Sequence, residues 1–214
     1  MRIGRRSFTM GLGAVLGGCS GASNMSRNYD QGLQYGISLV GNASPSNDPI
    51  WTDGYSQAEL DDAQSKYGLV FPPDLIALLR ERRPVQGYDW RTDDDQIRAI
   101  LKWPLEGLLF DVENNDLWWP EWGLRPQTPE ARAHVVADVV NEAPKLIPIF
   151  SHRFLPGDPN EAGNPVFSIY QSDVIYYGAD LADYFDREFG GSTPPLPQHI
   201  KRIPFWSELV ERNS

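Results

Sequence analysis

Val166-Phe167-Ser168-Ile169-Tyr170, Gln171-Ser172-Asp173 and Val174-Ile175-Tyr176-Tyr177-Gly178 read together as a β-hairpin. Both arms are β-branched and aromatic, which suits a pleated, half-buried surface. The polar triplet between them suits a tight reversal, and Gly178 ends the second arm. Asp180-Leu181-Ala182-Asp183-Tyr184-Phe185-Asp186-Arg187-Glu188-Phe189 follows at once as an amphipathic helix, closed by Gly190-Gly191. Upstream, Pro144 and Pro148 bracket Leu146-Ile147, so Leu146 to Phe150 reads as a short extended run, because a proline pushes its predecessor out of the helical region. Downstream, Thr193-Pro194-Pro195-Leu196-Pro197 is a stiff connector, and Phe205 to Glu211 makes a last short helix.

Toward the N-terminus the pattern becomes helical. Thr128-Pro129-Glu130 opens a helix through Asn141, offering Val135, Val136 and Val139 to a core. Asp93, Asp94 and Asp95 precede Gln96-Ile97-Arg98-Ala99-Ile100-Leu101, so these carboxylates read first as charges favoured at a helix N-terminus. Phe71-Pro72-Pro73-Asp74 opens another helix, whose C-terminal end carries Arg80, Arg82 and Arg83 before Pro84 stops it. Ser56-Gln57-Ala58-Glu59 is a capping box for the first helix, with Gly68 as its terminator. Helices, then strands, then helices favour an α+β fold over alternating βαβ units.

The chain has 214 residues, with 19 Lys plus Arg against 29 Asp plus Glu, a net charge of −10. Such an acidic body opposes binding to nucleic acid, which needs cationic side chains to release counterions. It suits a basic protein partner. A single cysteine, Cys19, excludes an internal disulfide and a Cys-ligated zinc site. The absence of a Walker loop and of Gly-x-Gly-x-x-Gly gives no reason to expect a nucleotide cofactor. No cofactor of any kind is expected.

Residues 1–24 read as an address. Arg5-Arg6-Ser7-Phe8 resembles a twin-arginine signal, an apolar segment runs from Phe8 to Gly18, and Leu16-Gly17-Gly18-Cys19 resembles a lipobox. On that reading Cys19 is the lipid attachment site, and the mature protein is lipid-anchored in the bacterial cell envelope. The competing reading starts a cytoplasmic protein at Met25. Residues 25–51 form a linker or lead-in rich in Ser, Asn, Gly and Pro, in which Tyr35 to Val40 could add an edge strand. Residues 52–212 are then the folded domain.

Several residues invite chemical readings. Asp111, Glu113 and Asp116 lie near Trp118, Trp119 and Trp122, the pairing of acids and rings that a glycosidase uses. Asn114-Asn115-Asp116 also reads simply as a turn. His152 could act as a base, or join Asp158, Asn160 and Glu161 around a metal, but a structural histidine beside a solvated turn accounts for the same residues. No Gly-x-Ser-x-Gly elbow accompanies Ser151 or Ser168. Seven tryptophans are many for this length, and those left exposed would mark a binding surface.

Three blocks carry a family resemblance. They are Pro148-Ile149-Phe150-Ser151-His152-Arg153-Phe154-Leu155-Pro156, Gly163-Asn164-Pro165-Val166-Phe167-Ser168-Ile169-Tyr170 and Asp173-Val174-Ile175-Tyr176-Tyr177-Gly178. With the Phe71-Pro72-Pro73-Asp74-Leu75 helix, Gly107-Leu108-Leu109-Phe110-Asp111-Val112 and Trp119-Pro120-Glu121-Trp122-Gly123, the chain resembles the SUKH superfamily, the Smi/Knr-like group common among bacterial immunity proteins. The resemblance implies a central, mostly antiparallel sheet with helices packed against it. It also implies a non-enzymatic role, direct binding of a cognate toxin, with no catalytic residues; no metal site is expected from the residues either. The expected binding surface draws on Trp118, Trp119, Trp122, Asp93, Asp94, Asp95 and His152, facing a basic toxin protein. The alternative is an envelope lipoprotein that binds a cell-wall glycan or another envelope protein.

Overall fold

The computed structural model describes residues 50–190 and 194–213. The signal-like segment with Cys19, the Met25 start and the Tyr35–Val40 run lie outside the described residues. In chain order the elements are β1 (Trp51–Asp53), α1 (Gln57–Tyr67), α2 (Pro73–Glu81), β2 (Arg82–Pro84), α3 (Asp94–Asn114), a 3-10 turn (Pro120–Trp122), α4 (Pro129–Glu142), β3 (Leu146–Phe150), β4 (Arg153–Pro156), β5 (Val166–Tyr170), β6 (Asp173–Gly178), α5 (Leu181–Phe189) and α6 (Trp206–Arg212).

The fold is α+β. β3, β4, β5 and β6 form one antiparallel sheet in sequence order, and β1 pairs with β2 in a separate ribbon. Alternation along the strands sends side chains to two different cores. Phe154, Phe167, Ile169 and Val174 join Leu108, Val112, Val136, Trp206 and Leu209 on one face, from α3, α4 and α6. Ile147, Leu155 and Val166 join Leu60, Leu75, Leu79, Leu181 and Tyr184 on the other, from α1, α2 and α5. A sheet covered on both faces by helices buries apolar side chains on consecutive positions, and all five residues of β3 are buried. Each fully buried large side chain contributes about 2 kcal/mol relative to exposure.

Local sequence sets most helix ends. Ser56 Oγ accepts from Glu59 N at 3.3 Å while Glu59 Oε2 accepts from Ser56 N at 2.8 Å, completing the expected box. Gly68 ends α1 with φ 62°, and the Lys145 ammonium donates to its carbonyl at 2.8 Å. The second helix is shorter than its sequence suggests. It stops at Glu81, and Arg82 and Arg83 turn extended to pair with Asp53 and Thr52. Tertiary pairing outweighs helix propensity there, and the Arg82 guanidinium lies 4.4 Å from the Trp51 ring. Trp51 therefore belongs to the folded body and not to the linker. The helix expected over Gln96–Leu101 continues to Asn114 straight through Pro104. Interior proline costs about 3 kcal/mol. Burial of Ile97, Trp103, Leu108 and Val112 offsets it, and the Trp103 indole N–H donates to the Ile169 carbonyl at 3.0 Å.

The hairpin turn is two residues, Gln171 and Ser172, with Tyr170 opposite Asp173. Gln171 takes φ 59°, a left-handed value where glycine has no steric penalty. Gln171→Gly is accordingly expected to stabilise the domain by about 0.5 kcal/mol, the relief of strain less the entropy cost of glycine. Urea unfolding of the two proteins checks this, and a loss of stability would contradict it.

Candidate binding surface

α3 spans 21 residues, so its ends lie about 30 Å apart. That length separates two parts of the surface expected from sequence. Asp93, Asp94 and Asp95 sit at its N-terminal end, and the three tryptophans follow its C-terminal end. His152 sits elsewhere again, in the β3–β4 turn.

The acidic triplet is mostly engaged internally. Asp93 flanks α3 without a side-chain cap bond, and its Oδ2 accepts instead from the Asp89 N–H at 2.8 Å. Asp94 meets the Lys66 ammonium at 3.0 Å, the Arg98 guanidinium at 3.0 Å and the Tyr67 hydroxyl at 3.0 Å. The hydrogen bond from Lys66 comes first among the causes that hold its carboxyl down at about 2. Asp95 is exposed. Asp94 ties α3 to α1, and Asp93 ties it to the preceding loop.

His152 belongs to a polar node between the sheet and α5. Arg153 Nη1 donates to His152 Nε2 and to Ser168 Oγ, the latter at 2.9 Å, and Arg153 Nε donates to Glu188 Oε2 at 3.0 Å. The guanidinium also lies 3.8 Å from the Tyr177 ring centre. A guanidinium only donates, so His152 Nε2 accepts. The ring proton then sits on Nδ1 and points to Ser151 Oγ at 3.1 Å. Burial, aided by the Arg153 charge, pushes the imidazole down to about 4. His152 is thus a neutral structural acceptor that orients Arg153, the residue through which β4 holds α5.

The carboxylates near the tryptophans are engaged too. Asp111 is 4% exposed and accepts from Ser172 N at 2.8 Å, from the Ser172 hydroxyl and from Asn115 Nδ2 at 2.6 Å. Glu113 accepts a two-pronged contact from Arg132, which holds its carboxyl below the usual range. Asp116 pairs with Arg125 at 3.1 Å. Each acid of the glycosidase reading has a structural partner. Among the described residues no group of three or more His, Cys, Asp or Glu side chains is placed to hold a metal ion, and no helix is long and apolar enough to cross a membrane.

The tryptophan segment has a different character. Trp119 is 7% exposed and is a core residue, packed on Phe205 at 5.7 Å with the Arg212 guanidinium 4.0 Å from its ring. It anchors the 3-10 turn, and Arg212 bonds Glu121 at 2.8 Å across it. Trp118 and Trp122 stay half-buried and meet edge to face, 5.4 Å apart at 86°. The Trp118 indole donates to the Gly123 carbonyl at 2.8 Å, which closes the loop. Beyond them Leu124 is 96% exposed. Sequence reading did not single out Leu124. The signal was available as an apolar residue set between Gly123 and Arg125-Pro126, where a loop has no core to bury it in.

What the segment presents is a fixed apolar tip: two half-exposed indoles, one exposed leucine and a ring of acids already neutralised by Arg125, Arg132 and Arg212. Such a tip can receive an apolar side chain or pocket. It has no flat two-ring platform for stacking a sugar. Compared with protein-family models, with curated proteins and with solved structures, the chain matches none.

Proposed function

We propose that the chain is a non-enzymatic, Smi/Knr-like binding module of the immunity type, neutralising a cognate basic toxin by direct contact. The observation that carries this reading is the tip. Leu124 stands 96% exposed beside Trp118 and Trp122, on a turn pinned to the core by Trp119. Tryptophans held in place by their neighbours are over-represented among interface hot spots, and the exposed leucine adds apolar area beside them. The acids of the tip are paired, so they add little at close range. The net charge of −10 acts at longer range, steering a basic partner toward the body. The four-stranded antiparallel sheet covered by helices supports the family resemblance drawn from the β3–β6 blocks.

A test pairs this protein with the product of the gene next to its own, measured by calorimetry and by rescue of growth. Trp122→Ala with Leu124→Asp is expected to weaken binding about 100-fold or more, as loss of hot-spot residues does, and to abolish rescue. Leu124→Asp alone should leave the unfolding midpoint within a few degrees of the parent, because Leu124 is 96% exposed, whereas Trp122 packs on Trp118 and Trp119 and its loss lowers the midpoint as well. Unchanged affinity with a basic neighbour that does bind moves the contact elsewhere on the surface. No binding by any neighbouring product sinks the immunity role. Placement at the membrane through Cys19, against a cytoplasmic start at Met25, is read directly from the intact mass of the native protein.

A further inference from the structure

The loop of residues 115–128 joins α3 to α4 and carries Trp118, Trp122 and Leu124. A connection this long usually either serves binding or stays mobile. Here three guanidiniums hold it. Arg212 of α6 donates to Glu121 at 2.8 Å, with its charge 4.0 Å from the Trp119 ring. Arg125, next to Leu124, reaches back to the start of the loop, donating to Asp116 Oδ1 at 3.1 Å and to the Val112 carbonyl at the end of α3. Its carboxylate partner is 99% exposed, and an ion pair in water adds little. Arg132 of α4 grips the backbone of the loop exit. Its Nη1 donates to the Pro126 carbonyl at 3.1 Å and to the Gln127 carbonyl at 3.0 Å. Its Nε, at 2.6 Å, and its Nη2 donate to the two carboxylate oxygens of Glu113 on α3. One planar fork thus joins α3, the loop exit and α4, and spends nearly all its donors doing so. A lysine ammonium is a point charge and does not reproduce that geometry.

We propose that Arg132 is the positioning residue of the tip. The inference rests on the tip being the contact surface, and it names what gives that surface a single shape. With its side chain 14% exposed, Arg132 is the most buried of the three arginines and the least able to touch a partner itself. It acts through the loop. By fixing the Pro126 and Gln127 carbonyls against the end of α3, it sets the path of the chain just beyond Leu124. A loop already ordered in the free protein has less freedom to lose on association, so the order set by Arg132 is realised as affinity.

NMR relaxation on the free, full-length protein tests the assignment without any partner. Arg132→Lys is expected to lower the amide order parameters of Leu124 and Gln127 from about 0.85 to below about 0.6, while those of Phe154 and Val136 stay at the parent value. Glu113→Gln spares both carbonyl bonds of Arg132 and is expected to leave Gln127 ordered. Toward the product of the neighbouring gene, Arg132→Lys should weaken binding about tenfold. Because it acts through the tip, it should add little to that loss when Leu124→Asp is already present. Order parameters at Leu124 and Gln127 that do not move in Arg132→Lys overturn the positioning role and leave the tip as the contact surface. A fall at Gln127 in Glu113→Gln as large as in Arg132→Lys also overturns it, since the carboxylate and not the fork would then hold the loop. So does a loosened loop that binds with parent affinity. If Leu124→Asp also binds with parent affinity, the reading of the tip falls as well.

Discussion

Asp111→Ala is expected to destabilise the domain by about 3 kcal/mol, because it strips the acceptor from several charge-assisted hydrogen bonds at once. The carboxylate sits at the end of α3 and reaches the β5–β6 turn, where it takes both the backbone N–H and the hydroxyl of Ser172. It also holds Asn115, the residue that closes the helix. Removing it leaves polar groups facing a space that alanine cannot fill and releases the turn from the helix. Asp111→Asn keeps one acceptor oxygen and is expected to lose about half as much. Ser172→Ala, which spares the backbone bond, should cost about 1 kcal/mol. With a typical urea slope of about 2 kcal/mol/M, the alanine variant should unfold about 1.5 M earlier. A loss below about 1 kcal/mol would show that the carboxylate is not the clasp between these elements.

The second large effect is a pH dependence with a defined window. The folded-state value of His152, about 4, lies below the ordinary 6.5. The unfolded chain therefore takes up the proton first as pH falls. The stabilisation from the neutral ring is complete above pH 6.5 and is lost as pH drops from 6.5 through 4. A shift of this size corresponds to about 3 kcal/mol at most, and solvent screening of the half-buried ring reduces it to about 2 kcal/mol. Asp89 and Asp94 titrate lower, since Arg91 in one case and Lys66 in the other bring their carboxyls down to about 2. Their contributions fade between about pH 4 and pH 2, so the windows barely overlap. His152→Gln retains an acceptor for Arg153 and does not titrate. Its unfolding free energy between pH 6.5 and 4 should be flatter than the parent's by about 2 kcal/mol. Equal slopes in the two proteins would mean that His152 is not the titrating group.

The segments that sequence placed correctly are those whose signal is local. The α1 capping box, Gly68, the Thr128 cap of α4 and the β-branched and aromatic arms of the β5–β6 hairpin act within a few residues, and the structure keeps each of them. The α+β class follows from the order of these signals. Composition by itself set the acidic balance and removed disulfide and Cys-zinc chemistry, since one cysteine cannot supply either.

Tertiary structure decided everything that depends on which distant groups meet. Arg82 and Arg83 look like helix-ending cations until β1 is beside them. Pro104 looks like a break until two cores bury the helix on either side of it. Asp93, Asp94 and Asp95 look like a free acidic face, yet Lys66, Arg98, Tyr67 and the Asp89 amide take up the first two. Trp119 and Trp122 are three residues apart and chemically alike. One fills the core and the other lines the tip, because the turn offers room under it for a single indole against Phe205. Leu124 is the reverse case, an ordinary apolar residue that becomes the most exposed point of that tip. Local propensity is a matter of a few neighbouring dihedrals and is written in the sequence. The partners of charges and the burial of rings are fixed by packing between elements far apart in the chain, and only the folded protein determines them.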